Sequence, residues 1–307
     1  MHNDFKYPPF LQKGDKVTVV SPSSIIEPEV LEGGIKCLKA WGLKVTKGKF
    51  VSGKYGNFSG TVKQRLGDLQ RALDDPDCKA IFCSRGGYGA NNLLDQLNFT
   101  EFHKHPKWLI GFSDITALHC LWQHEGFTSL HAPMLKHLIE QGQDDFCNRT
   151  IHDILFGDAL NKKLTYTVEG HTLNRTGKAN GILHGGNLAV WHGLRCTPYD
   201  INPEGTILFV EDVGEKPHAI ERMFYNLKLS GFLDKLSGLI VCLFTEFEEH
   251  KQLGKELYPA LADLLKPYTY PICFGFPVGH VPMNLPMIEG AKVELRVNKN
   301  EVKLKFI

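Results

Sequence analysis

The sequence predicts an α/β protein whose first half builds a mostly parallel sheet with helices on both faces. Three observations carry this. Short apolar, β-branched runs recur along the chain, as in Lys16–Ser21 (KVTVVS) and Lys79–Cys83 (KAIFC). Between them lie stretches with apolar residues at helical spacing, and repeated βα units imply parallel pairing. The junctions are short and rich in Gly, Ser and Pro, which suits turns rather than long loops. With 307 residues the chain can bury a substantial core unaided, and its length suggests two domains.

Taken in order, Lys16–Ser21 reads as a strand that ends in Ser-Pro-Ser-Ser, a loop and capping signal. Glu29–Gly42 has helical periodicity and closes on a glycine, and Leu43–Lys47 is a short strand. Thr61–Leu73 is an amphipathic helix with Val62, Leu66, Leu69 and Leu73 on one face. After the strand Lys79–Cys83 come a glycine-rich turn, Arg85–Gly89, and a helix over Asn91–Leu97. Trp108–Phe112 is a strand and Asp114–Gln123 a helix. The stretch 161–183 breaks the rhythm with Thr, Lys, Asn and Gly, and reads as a linker. The domain boundaries expected are therefore 1–160, a linker over 161–183, and 184–307. In the second domain, strands are expected at Thr206–Val210, Leu239–Phe244 and Ile272–Phe276, with helices near His218–Leu229 and Lys251–Leu265. The tail suggests a hairpin turning at Asn298-Lys299-Asn300.

Composition narrows the class. Hydrophobic residues are 42% and charged residues 22%, ordinary for a globular enzyme. A formal net charge of +1 gives no reason to expect nucleic acid or an anionic membrane as partner. No apolar stretch reaches the ~20 residues that span a bilayer. The first residues lack a basic segment followed by an apolar one, so no secretory signal is expected. The eight cysteines are scattered without a C-x-x-C pair, which points to buried free thiols in a reducing compartment.

Four stretches could carry chemistry. In Trp108–His119 an apolar strand runs into Gly111-Phe112-Ser113-Asp114 and then directly into a helix. A serine at such a turn has an exposed hydroxyl beside the helix's first N–H groups, which can stabilise an oxyanion. The G-x-S-x-G spelling is absent, and Ser113 could simply cap the helix. Ser84–Asn91 also joins strand to helix through glycines that allow close backbone approach. Gly87-x-Gly89 begins a dinucleotide fingerprint that Asn92 then breaks, so a second source of oxyanion N–H groups is the better reading. Glu211 ends the apolar run Ile207–Val210, where it could orient a histidine or belong to a solvated loop. His280 lies in a Gly/Pro loop after a strand, placed as a reachable base, although it is one of 14 histidines. Metal patterns are poor. His124-Glu125 lacks the rest of H-E-x-x-H, and Glu246–His250 resembles a charged helix start, so no metal and no cofactor are expected.

Together these stretches resemble the LD-carboxypeptidase family of serine peptidases over essentially the whole chain. The resemblance rests on Lys13–Val17, Val20–Ser23, Arg85–Gly89, Ile110–Thr116, Gly185–Leu188, Phe209–Asp212 and Gly275–His280, in that order and spacing. It implies a Rossmann-like N-terminal domain carrying the serine, a smaller C-terminal α/β domain carrying Glu and His, and an active site in the cleft between them. It assigns Ser113 as nucleophile, His280 as general base and acid, and Glu211 as its orienting partner. The oxyanion hole would come from the N–H of Asp114 and the Gly86-Gly87 turn. Arg85, Tyr88 and Arg222 are the candidates for holding substrate, the arginines because a guanidinium grips a carboxylate with two bonds. Val281 and Met283 stand where the family usually has Gly and Asp, which would reshape the pocket around the leaving residue.

The implied activity is release of terminal D-Ala from cytoplasmic murein tetrapeptides in cell-wall recycling, by a homodimer. Two other classes compete with it. One is the family's microcin-immunity branch, which cleaves peptidyl-adenylate amides with a longer chain. The other is a non-catalytic ligand-binding module built on the glycine turn.

Overall fold

The computed structural model describes residues 5–248 and 253–307. The chain divides into two units, Met1–Asn161 with Leu285–Glu289, and Lys162–Asn284 with Gly290–Ile307.

In the first unit the β-branched runs become β1 (Lys16–Val20), β2 (Lys44–Lys47), β3 (Cys78–Cys83), β4 (Trp108–Gly111) and β5 (Ser129–His131). They are parallel and lie in the order β2-β1-β3-β4-β5. This is a doubly wound arrangement, in which the loops at the carboxyl ends of the strands present the site. β1, β3 and β4 are almost wholly buried, as expected of strands covered on both faces. The helix Val62–Asp74 starts at a complete capping box, with Thr61 and Gln64 each bonding the other's backbone N–H. The helix expected over Asn91–Leu97 is instead a 3₁₀ helix, Ala90–Gln96, entered through Gly89 at φ 129°. A short α-helix, Thr100–Lys104, follows it.

The second unit holds a mixed sheet of β6 (Thr165–Glu169), β7 (Gly177–Asn187), β8 (Thr206–Val213), β9 (Gly238–Thr245) and β10 (Ile272–Phe276) with the closing hairpin. β7 to β10 run parallel. Between β10 and the hairpin the chain returns to the first sheet, where β11 (Met287–Glu289) pairs antiparallel with β5. The hairpin is β12 (Lys292–Val297) and β13 (Glu301–Phe306), turning at 298–300 as expected. It joins β7 to β6 by antiparallel pairing.

Two expectations need correction. The stretch 161–183 is not a linker, because β6 and most of β7 lie in it. Its polar residues belong to half-exposed antiparallel strands that alternate inward and outward. The helix expected over Lys251–Leu265 is observed as Leu257–Leu264, and residues 251 and 252 lie outside the described residues.

Candidate active site

Ser113 occupies a strained turn. β4 ends at Gly111, where a Cβ would meet Ile115 Cγ1 at 2.9 Å and Cys83 Cβ at 3.1 Å, so no larger residue fits. Phe112 is extended, and Ser113 then turns to φ 65° to open the 3₁₀ helix Ser113–Ile115, which leads into the helix Thr116–His124. A left-handed non-glycine residue costs about 1–2 kcal/mol and persists only where its surroundings enforce it. The turn sets the serine at the carboxyl edge of the parallel sheet, beside the first N–H groups of a helix start, which have no acceptor within the helix.

The Gly86-Gly87 turn after β3 lies against this serine. A Cβ on Gly86 would stand 3.0 Å from Ser113 Cβ, 3.2 Å from its Oγ and 3.4 Å from the Asp114 nitrogen. Gly87, at φ 107°, leaves no room either, since its Cβ would fall 2.1 Å from Ser24 Oγ. Ser24 fixes the turn from the β1 loop. Its N–H donates to Gly86 O at 3.2 Å and its hydroxyl accepts from Tyr88 N–H at 3.3 Å. The proposed oxyanion donors, Asp114 and the glycine turn, are thus packed beside the serine hydroxyl.

The carboxylate of Asp114 is a hub that sequence inspection missed. It is buried and accepts hydrogen bonds from Ser23 Oγ at 2.5 Å and from Ala90 N–H at 2.9 Å. One side chain therefore joins the loops after β1, β3 and β4. Burial pushes its carboxyl above the usual range, and the two hydrogen bonds and the charge of Arg65 only partly offset this. Arg65 is itself buried and donates to the carbonyls of Pro22, Gly60 and Gly89, with its guanidinium over the Phe58 ring. A Cβ on Gly89 would strike Arg65 Nη1 at 2.8 Å and Phe58 at 3.0 Å. The glycine turn is therefore filled from the protein side and opens a 3₁₀ helix, which removes the basis for a dinucleotide fingerprint.

In the second unit, Glu211 and His280 form a pair. Glu211 is fully buried at the end of β8, and His280 Nδ1–H donates to its Oε2 at 2.8 Å. In that tautomer the lone pair sits on Nε2, as a general base requires. Glu211 and Asp212 are both buried because β8 is covered on both faces and is buried from Thr206 to Asp212. A bulge in β9 lies beside them. The register with β9 shifts between Val210 and Asp212, so that Cys242 and Leu243 face the single Glu211. Tyr258 closes the bulge, donating to Cys242 O at 2.9 Å and accepting from Phe244 N–H at 3.3 Å. The histidine loop is braced by Asn284, whose Oδ1 accepts from Gly279 N–H at 3.0 Å. Burial disfavours the His280 imidazolium, but the Glu211 hydrogen bond and the charges of Glu211, Asp212 and Glu246 outweigh it, so its pKa lies above the ordinary histidine value.

Asp212 anchors the neighbouring strand end. It accepts from Asn187 Nδ2 at 3.0 Å and from Ala189 and Val213 N–H at 2.8 Å each. Burial pushes its pKa up to about 6. Among the remaining candidates, Arg85 is exposed and bonds Ile25 O at 2.9 Å, with Glu27 at 3.5 Å. Tyr88 is exposed against Phe58, and Arg222 is exposed on the helix Pro217–Leu229.

Two groups of metal-capable side chains occur among the described residues: His119 with His131 and Glu289, and His137 with Asp145 and Cys147. In the second, Asp145 already caps the helix Phe146–Leu155 by accepting from Cys147 and Asn148 N–H. All eight cysteines are free thiols and six are buried. No helix among the described residues is long and apolar enough to cross a membrane.

The chain matches the LD-carboxypeptidase N-terminal domain over residues 17–132 and the LD-carboxypeptidase C-terminal domain over residues 180–295. It is 34% identical over 297 residues to the "Probable murein peptide carboxypeptidase" of Bacillus subtilis, covering 94% of this chain and 91% of the relative. Its identity to the murein tetrapeptide carboxypeptidase of Pseudomonas aeruginosa is 29% over 293 residues, covering 92% and 94%. In fold it is similar to the muramoyltetrapeptide carboxypeptidase of Oxalobacter formigenes, with a TM-score of 0.83 at 26% identity over 95% of this chain and 98% of that one. The expected two-domain α/β fold with mostly parallel strands agrees with that structure.

Proposed function

Because the chain belongs to the LD-carboxypeptidase family of peptidases, we propose that it is a serine carboxypeptidase that removes the terminal D-Ala from murein tetrapeptides. The observation that carries this reading is the left-handed Ser113 at a strand-to-helix turn, with Gly86 packed on its hydroxyl. The names of the relatives supply the substrate class.

In the proposed reaction His280 Nε2 takes the proton from Ser113 as Oγ attacks the carbonyl carbon of the penultimate residue. The N–H groups of Asp114 and the Gly86-Gly87 turn hold the developing oxyanion. Glu211 keeps the imidazole oriented and stabilises its cationic form. The C–N bond then breaks, His280 passes its proton to the leaving amine, and free D-Ala departs. Water repeats the sequence on the acyl-enzyme and releases the shortened peptide and the serine. Backbone N–H groups, side chains and water account for every proposed step. Arg85, Tyr88 and Arg222 are proposed to meet the substrate, an arginine holding its terminal carboxylate. The same reading makes the enzyme a cytoplasmic homodimer that works on recycled cell-wall peptides.

The test is release of D-Ala from a murein tetrapeptide, followed by mass spectrometry for the wild type and Ser113→Ala. Release by the wild type alone is the expected result. Release by both would remove Ser113 from the mechanism. Release by neither would turn the search to peptidyl-adenylate amides.

A further inference from the structure

Against Gly111, two residues ahead of Ser113, lies a polar cluster that no step of the proposed reaction uses. His119, Ser129, His131 and Glu289 are each 0% exposed, and all belong to the first unit. Most polar groups enclosed to this degree are hydrogen-bonded. His119 makes two. Its Nε2 lies 2.8 Å from Gly111 O and its Nδ1 2.8 Å from Ser129 Oγ. A carbonyl can only accept, so Nε2 carries the hydrogen and Nδ1 accepts from the Ser129 hydroxyl. Burial drops the ring's pKa to about 4, so it stays neutral and keeps this tautomer at working pH. Glu289 Oε1 stands 4.0 Å from Nδ1, and Glu289 Oε2 accepts from the Gln123 side-chain amide.

Ligand atoms of His119, His131 and Glu289 lie within 4.8 Å of one another, a spacing that a metal with bonds of about 2 Å could also bridge. Both nitrogens of His119 are already engaged, however. A metal at Nδ1 would displace Ser129, and one at Nε2 would break the bond to Gly111. The hydrogen-bonded arrangement accounts for the His119 geometry without further atoms.

The carbonyl that His119 holds is the last of β4. Gly111 O also accepts from Ala132 N–H at 3.0 Å, so both its lone pairs are engaged and its peptide plane is fixed. Phe112 follows, edge-on to His131 at 5.9 Å between centroids. Ser113 then makes its left-handed turn, and Asp114 is anchored on the far side by Ser23 and Ala90. The strained residue is thus gripped on both flanks.

We propose that His119 is a positioning residue for the nucleophile: by donating to the Gly111 carbonyl, with Ser129 fixing its tautomer, it sets the direction in which the chain leaves β4 and hence where the Ser113 hydroxyl points. This rests on the reading of Ser113 as nucleophile. Misplacement of a reacting group by about 1 Å can lower a rate roughly 10²-fold.

The test compares kcat, KM, thermal midpoint and metal content of the wild type, His119→Met, His119→Gln, Ser129→Ala and Ser113→Ala on one tetrapeptide. H119M, which fills the space but has no donor, is expected to lower kcat about 10- to 100-fold with KM little changed. H119Q places an amide nitrogen where Nε2 stood, and is expected to recover most of kcat while its thermal midpoint stays with that of H119M. Equal kcat for H119M and H119Q, or a loss that merely follows unfolding, overturns the proposal. So does a stoichiometric metal in the wild type that H119M lacks. Should H119M not fold, S129A carries the test: a lowered kcat at unchanged KM and midpoint supports the proposal, and wild-type kcat overturns it. An active S113A would instead remove the nucleophile reading beneath it, a failure distinct from that of His119.

Discussion

Gly279 and Glu211 are in contact across a gap that no side chain fits. A Cβ at 279 would stand 2.9 Å from Glu211 Oε2 and 3.0 Å from Glu211 Cβ, with Leu243 O at 3.2 Å behind it. Gly279 also sits at φ 126°, a conformation open to glycine. The residue before the histidine therefore brings that histidine to its carboxylate. Gly279→Ala should push the loop off Glu211 and lower kcat about 10²-fold, the scale expected for a misplaced base. Steady-state kinetics would show this, and a variant with wild-type kcat would mean that the Glu211–His280 contact is not used.

The pH profile follows from the same pair. His280 must be neutral to accept a proton, and its pKa is raised above 6.5 because the carboxylates around it outweigh its burial. Activity should therefore rise with pH through a midpoint above 6.5. Glu211→Gln removes the carboxylate, so the midpoint should move to lower pH while the plateau falls. A midpoint that stayed in place in E211Q would assign that limb to another group.

Gly86→Ala separates catalysis from stability. Gly86 does not sit at positive φ, but its Cβ would crowd Ser113 Cβ at 3.0 Å, Ser113 Oγ at 3.2 Å and the Asp114 nitrogen at 3.4 Å. The variant should fold with a thermal midpoint close to wild type and lose about 10- to 100-fold in kcat, on the scale of disturbing an oxyanion donor. A comparison of melting and kinetics checks it, and full activity would take this turn out of the oxyanion site.

Asp114→Ala should do the reverse in emphasis. It leaves the Ser23 hydroxyl and the Ala90 N–H without their acceptor inside the protein. Each orphaned buried donor costs about 1–3 kcal/mol, so a loss of roughly 2–6 kcal/mol is expected in urea unfolding. A smaller loss would mean that the three loops are held together by other contacts.

How far sequence alone reaches can be judged from these residues. The run Trp108–Gly111 into Ser113 was legible because an apolar strand, a serine and a helix follow one another within a few residues. Glu211 and His280 each lie at a strand end, but 69 positions separate them, and only the resemblance to a known family joined them. Ser23 and Asp114 are 91 positions apart and left no local sign of their bond. β7 was missed because its glycines read as loop. Gly185 is there for closeness, since its Cβ would lie 1.8 Å from Phe209 O on the next strand. β5 and β11 span three residues each, too few to show a period. β8 is buried on both faces from Thr206 to Asp212, so the burial of two adjacent acids had no inward-outward alternation to announce it.

β11 bears on how the protein can be made. The first unit takes its edge strand from residues 285–289, although the rest of it ends at Asn161. A growing chain that has released residue 161 has all five parallel strands but not the one that covers β5, and Gln123 still lacks the carboxylate of Glu289. More than a hundred further residues must be synthesised before that edge is closed. A gene cut at residue 161 would therefore yield a fragment with an open strand edge, the kind that pairs with its neighbours and aggregates. Fragment complementation would have to supply β11 with the first half, and the sheet that carries Ser113 is completed only by residues translated more than a hundred positions after its parallel strands.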